Sequence, residues 1–348
     1  MPSRMTSAVR FVCPACRGEL ETTTSAYACP PCGKTYPVVC GIPDFRLAPD
    51  PYIGIEEDRR KAERLFNEGS GRSFEQLLRY YYAVTPEDPG DLAERWIAHA
   101  LAEVDIASGL VAGASWSAPG SASLLDIGCS TGALLVALAD RHPDRTGVDV
   151  ALRWLAVGRI RLREAGIDAT LVCANAESLP FPDRSFGAVT CVDTLEHVRN
   201  AGAAMREAHR VSTPGAPLLC TANNRLAPVP EPNIHLWGVG YLPRRWQPAY
   251  VRWRRRDLHE YQIRLMTPGE LLATAVSAGY GNAVVEPAPI VAPHAAPRMR
   301  RALRIYGRLR RMPVTRSLLK ALGPRLLLRA SATVLTRSSL SAAERAGM

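Results

Sequence analysis

Two aspartates stand where this chain could grip a nucleotide. Leu124-Leu-Asp-Ile-Gly-Cys-Ser-Thr-Gly132 reads as an apolar strand entering a glycine-bearing turn, and Ala133-Leu-Leu-Val-Ala-Leu-Ala139 opens a helix at once. About twenty residues on, a second strand ends in Gly147-Val-Asp149. In a doubly wound α/β sheet this order is a nucleotide half-site. The turn lets backbone approach the ligand, and the distant carboxylate takes ribose hydroxyls. Spacing alone suits a dinucleotide enzyme equally well.

A second constellation is built from thiols. Cys13-Pro-Ala-Cys16 and Cys29-Pro-Pro-Cys32 are two C-x-x-C knuckles, and four thiolates so spaced close a tetrahedral zinc site. Disulfides are the competing reading. Against them, Met1–Arg10 lacks a secretory apolar run, and Cys40, Cys129, Cys173, Cys191 and Cys220 are scattered as in a reducing compartment. A ribbon this short cannot bury enough surface without metal, so Cys13, Cys16, Cys29 and Cys32 are expected to hold structural Zn2+.

Further motifs follow the half-site in order. They are Ala174-Asn-Ala-Glu-Ser-Leu-Pro-Phe-Pro-Asp-Arg-Ser-Phe186, Val192-Asp-Thr-Leu-Glu-His-Val198, Met205-Arg-Glu-Ala-His-Arg-Val211 and Pro214-Gly-Ala-Pro217. With them the chain resembles the class I S-adenosylmethionine-dependent methyltransferases, in the branch carrying an L-P-F-P-D segment followed by L-E-H-V. The resemblance covers about 124–225 and continues more weakly through Leu265–Leu272 and Ala278–Tyr280. It implies a Rossmann-like sheet of seven strands with the last antiparallel, and S-adenosylmethionine as cofactor. Asp126, Gly128, Ser130 and Gly132 would then form the turn under the methionine part, with Asp149 and Val150 at the ribose. Asn175 and Ala176 would read adenine, and Asp193 would lie beside the sulfonium. Two departures stand out. Ser130 replaces the usual middle glycine, tolerable if its backbone angles stay ordinary, and Gly187 replaces a structural acid.

The segment Tyr36-Pro-Val-Val-Cys-Gly-Ile-Pro-Asp-Phe45, after the knuckles, resembles the small zinc-ribbon proteins that activate tRNA and protein methyltransferases. Such a module is here fused to an enzyme core.

The elements that position these groups divide the 348 residues into a zinc ribbon (1–48), a helical cap and linker (49–120) and a methyltransferase domain (121–338). Helices are expected over 56–82 and 91–112, covering the cofactor. Insertions at 226–262 and 291–324 leave the fifth and sixth strands toward the cofactor edge. The second is read as a helix with Met299, Ala302, Leu303, Tyr306 and Leu309 inward. No apolar run of eighteen residues appears, so no transmembrane segment is expected.

Charge is uneven. The net is +10, yet twelve Arg or Lys and no acid lie between Arg298 and Arg337. Six further arginines, from Arg244 to Arg256, alternate with Trp237, Tyr241, Trp246, Tyr250 and Trp253. Such a surface suits methyl transfer to a hydroxyl of a small-molecule, sugar or lipid-linked anionic acceptor, in a cytoplasmic protein with peripheral contact to anionic lipid at the inner membrane face. RNA is the weaker alternative, since Asp193-Thr-Leu-Glu196 replaces the N-P-P-Y type motif of base methylation. A non-catalytic scaffold is a third reading. If a hydroxyl is methylated, a histidine base is useful, and His197, His235 and His259 are the candidates.

Overall fold

A computed structural model describes residues 9–85, 90–114, 116, 122–255, 261–293 and 296–333. The ribbon contributes β1 (Glu21–Thr22), β2 (Ala26–Ala28), β3 (Thr35–Val39) and β4 (Ile42–Pro43), paired antiparallel in that order. Helices α1 (Ile55–Glu68), α2 (Phe74–Ala83) and α3 (Gly90–Ala114) follow. The core then runs β5 (Leu124–Ile127), α4 (Ala133–Ala137), β6 (Arg145–Asp149), α5 (Leu152–Glu164), β7 (Thr170–Cys173), β8 (Ala188–Val192), α6 (Ala201–Val211) and β9 (Pro217–Asn223). Beyond it come α7 (Gln247–Arg254), α8 (Pro268–Ser277), β10 (Tyr280–Pro287), α9 (Pro297–Leu309), α10 (Pro313–Leu322) and β11 (Arg325–Ala332).

Central parallel strands made of apolar residues need cover on both faces. All four residues of β5 are buried, and alternate ones serve two different cores. Leu125 and Ile127 join α6, α8 and the ribbon residues Tyr36 and Phe45, whereas Leu124 joins α1, α2, α4 and α5. The sheet order is β10-β11-β9-β8-β5-β6-β7, parallel from β9 to β7, with β11 antiparallel to both its neighbours. That is the expected seven-stranded, doubly wound arrangement with its last strand antiparallel. The order reverses between β5 and β8, and ligands of such sheets bind at the carboxyl ends of the strands beside that point.

The ribbon is docked on the sheet rather than tethered to it. Phe45 lies 5.1 Å from Phe11 and 5.2 Å from both Tyr27 and Tyr36, ring centre to ring centre, and Phe11 reaches Phe181 at 5.9 Å. Val12 N–H donates to Pro180 O, Arg17 donates to Leu179 O, and Arg17 pairs with Glu207 at 2.7 Å. The L-P-F-P segment is thus what the ribbon rests on. Past β4, Asp44 forms a parallel bridge with Cys173, so the ribbon exit continues the sheet beyond β7.

Three local expectations change. The 56–82 helix breaks at Gly69–Gly71, where Gly71 takes φ +82°, and Ser73 restarts it as a capping box with Gln76. Pro313 divides the second insertion into α9 and α10, and only Leu303, Tyr306 and Leu309 of the proposed inward stripe are half-buried; Met299 and Ala302 are exposed. Finally, Ala93–Ala114 of α3 is long and apolar enough, by length and composition, to cross a membrane. It packs on α4, and its Glu103 pairs with Arg161 at 2.8 Å, as suits a core helix.

Candidate active site at the carboxyl edge of the sheet

Register places the two aspartates together. Asp126 is opposite Gly147, so Asp149 projects two residues further toward the same edge. The Asp126 carboxylate is buried and accepts from Thr190 Oγ1 at 2.7 Å. Burial, with Asp149 nearby, pushes it up to about 7. Asp149 accepts from Ser130 N–H and Ala151 N–H, each at 2.8 Å, and burial raises it to about 6. Neither carboxylate has a cation within hydrogen-bond reach among the described residues. Each Asp149 oxygen keeps a lone pair for another donor.

The turn between them is more strained than expected. Ser130 has φ +48°, so the expectation of ordinary angles is corrected; its N–H is aimed at Asp149 by that left-handed conformation. Gly128, at φ +75°, has a second reason to be glycine, because a Cβ there would collide with Thr194 Oγ1. Gly132 also takes positive φ, at the start of α4. Gly187 is explained by space, since a Cβ would sit 2.7 Å from that of Ala122.

A strap formed by residues 44–53 crosses the edge above β6 and β7. Asn175 Oδ1 accepts from Leu47 and Ala48 N–H at 2.8 and 3.1 Å, and its Nδ2 donates to Ala48 O. Its carboxamide therefore already holds the strap, and Ala176 beside it is buried in the core. Val150 O accepts from Arg46. Beneath the strap lies a buried ionic network. Arg46 donates to Asp44 at 2.8 Å and Asp58 at 2.7 Å, and Arg153 donates to Asp58 at 2.8 Å and Asp50 at 3.0 Å. Burial alone would push the Asp44 carboxyl up, but Arg46 and Arg59 outweigh it and hold it below the usual carboxylate range. Asp58 also accepts from Leu152 N–H and so caps α5, whose own N-cap, Ala151, has no side chain to do so.

On the other side of the switch point, Asp193 has φ +49° and is bound to Thr221 Oγ1 at 2.7 Å and Arg325 at 2.5 Å. Glu196 is fully buried. It accepts from Asn223, its second oxygen has no partner among the described residues, and burial next to Asp193 raises it to about 8. His197 is half-buried on the same loop. Burial lowers its pKa, while Asp193 and strap residue Asp50 act in the opposite sense. The net lowering favours the neutral imidazole, the form a proton acceptor needs. His235 is placed elsewhere, on an exposed turn of the first insertion with φ +52°. His259 lies outside the described residues.

At the ribbon tip the four thiol sulfurs lie within 4.8 Å of one another. Cys13 and Cys32 are 3.6 Å apart, Cys16 and Cys29 3.4 Å. A zinc tetrahedron with bonds of about 2.3 Å has edges of about 3.8 Å, so the donor set fits that ion. Tyr36 Oη lies 3.2 Å from Cys13 Sγ, placed to donate to a thiolate.

Residues 125–220 match the methyltransferase domain family. The core has the class I methyltransferase fold. A ubiquinone biosynthesis O-methyltransferase of Idiomarina loihiensis is 31% identical over 150 residues, 43% of this chain and 57% of its own length. A demethylmenaquinone methyltransferase of Roseiflexus castenholzii is 40% identical over 104 residues, 29% of this chain and 43% of its own. The chain thus spans little more than half of the first curated relatives it matches. A solved S-adenosylmethionine-dependent methyltransferase of Mesorhizobium loti aligns at 19% identity and TM-score 0.45, over 66% of this chain and 99% of that one.

Several groups of this methyltransferase core were not singled out from sequence. Arg325 carries no motif; its position opposite Asn223, at the start of an antiparallel strand, is what delivers it to Asp193. The Arg46–Asp58–Arg153 network joins three distant segments, so no local spacing signals it. Glu196 was visible only as part of the L-E-H-V string.

Proposed function

We propose that this chain is an S-adenosylmethionine-dependent methyltransferase acting on a hydroxyl of a small, apolar or lipid-linked acceptor of quinone type. The observation that carries the reading is a pair of carboxylates, Asp126 buried and Asp149 half-buried, with no ion-pair partner among the described residues, beside the switch point of a class I methyltransferase sheet. When bound, S-adenosylmethionine supplies a methyl group on a sulfonium, open to in-line displacement by an acceptor oxygen. A cationic donor suits this edge of the sheet, because two desolvated acids favour positive charge nearby. Asp149 would hold the ribose hydroxyls with its free lone pairs, and Asp126 would support the turn from beneath. His197 would accept the hydroxyl proton, and the strap would exclude water from the adenosine side. Asn175, whose Oδ1 is taken up by the strap, would have only its second Nδ2–H to offer adenine. The hydroxyl acceptor is supported by the ubiquinone biosynthesis O-methyltransferases among the relatives. Zinc in the ribbon would be a structural cross-link, held by Cys13, Cys16, Cys29 and Cys32.

Titration calorimetry with S-adenosylmethionine tests the core of this reading. Binding is expected, and Asp149→Ala should weaken it at least about tenfold, the equivalent of one charge-assisted hydrogen bond. An intact chain that binds no S-adenosylmethionine would leave only a scaffold role. A radiolabelled methyl group appearing on a catechol or demethylated quinone, rather than on RNA, would identify the acceptor class.

A further inference from the structure

Among the described residues, the α9–α10 hairpin is bound to the body along one side. Tyr306 Oη donates to Ala288 O at 2.9 Å and Arg310 donates to Gly113 O, while neither helix has a fully buried residue. Its opposite side combines two unusual features. On α9, Arg301, Arg304 and Arg308 recur at helical spacing around Ile305, all exposed, and none of the three arginines forms an ion pair among the described residues. On α10, Val314 and Leu318 form an outward row, 84% and 59% exposed. Exposed cations without interspersed acids are not an ordinary solvated face, and exposed aliphatic residues in a row are costly in water.

We propose that this hairpin docks onto an anionic phospholipid bilayer, with the α10 row entering the headgroup–acyl boundary and the α9 arginines meeting lipid phosphates. Charge complementarity selects this occupant: arginine is matched to phosphate, and an aliphatic row beside it is matched to acyl chains, which RNA lacks. Position agrees. The hairpin leaves β10 at Pro287 and returns at Arg325, whose register partner is Asn223, so it hangs from the same edge as Asp149 and Asp193. Trp246 and Trp253 of the first insertion, which departs from that edge, are 54% and 69% exposed, and tryptophan is favoured at headgroup depth. The inference does not depend on methyl transfer.

Flotation of the full chain with phosphatidylcholine vesicles, with and without phosphatidylglycerol, tests it. The chain should float only with the anionic vesicles, and added salt should release it. Each neutralised arginine in an R301Q/R304Q/R308Q series should lower partitioning roughly fivefold. L318S should also lower it, with thermal melting unchanged because the residue is exposed. The proposal is overturned if anionic vesicles do not retain the chain, or if the arginine series and L318S both leave retention unchanged. Salt-sensitive RNA binding that needs the arginines but is indifferent to L318S, without vesicle binding, would likewise overturn it.

Discussion

At the scale of single residues, the site is defined by acids held against their solvation. Asp126 at about 7 binds its proton more tightly folded than at its ordinary 3.8. Folding therefore takes up a proton between those values, and this group's contribution to stability falls as pH rises from about 4 to about 7. The D126N chain escapes that loss. Its melting temperature relative to the parent should be level near pH 4 and pull ahead toward pH 8. A gap that stays constant across this range would mean that Asp126 ionises normally. Asp193, expected beside the sulfonium, has its carboxylate bound to Arg325 and Thr221. That arrangement fixes the loop carrying Glu196 and His197, and a positioning role is what we propose for Asp193.

Among elements, the strap and its ionic network decide how the ribbon, the cap helices and the sheet meet. Asp58 of α1 neutralises Arg46 of the strap and Arg153 of α5 and also caps that helix. Removing one member of a buried set leaves charge uncompensated. Asp58→Ala should cost about 3 kcal/mol in urea unfolding, the low end for such deletions because Asp44 and Asp50 remain to pair the two arginines. A loss near zero would show that water replaces the carboxylate. None of this network was legible beforehand. The half-site turn was, because strand, turn and helix are consecutive and each has its own local signature. Breaks within helices were partly missed for a related reason: an amphipathic pattern persists across Gly69–Gly71, and only backbone conformation reveals the interruption.

For the whole molecule, the ribbon and the methyltransferase core are one packing unit. Cys13, Cys29, Tyr36 and Phe45 belong to the same buried cluster as Val189 and Leu218 of the central sheet. Metal loss should therefore be felt beyond the ribbon. The purified protein should contain about one zinc per chain, and Cys29→Ser or chelation should lower the melting temperature of the whole chain and expose Phe45 and Phe181. Metal analysis showing no zinc, with a melt unmoved by chelator, would remove the ion from the account.

Sequence alone determined the fold class, the two aspartates, the cysteine quartet and the uneven charge. Each depends on order and spacing along the chain, or on composition, and these survive without coordinates. Tertiary structure decided which of those groups remain free to act. It bound Asn175 to the strap, tied Asp193 to Arg325, left His197 at the edge and His235 exposed on its turn, and set the hairpin's cations outward. Those outcomes turn on partners more than a hundred residues away in sequence, or on which face of a helix happens to be covered, and no local pattern encodes either.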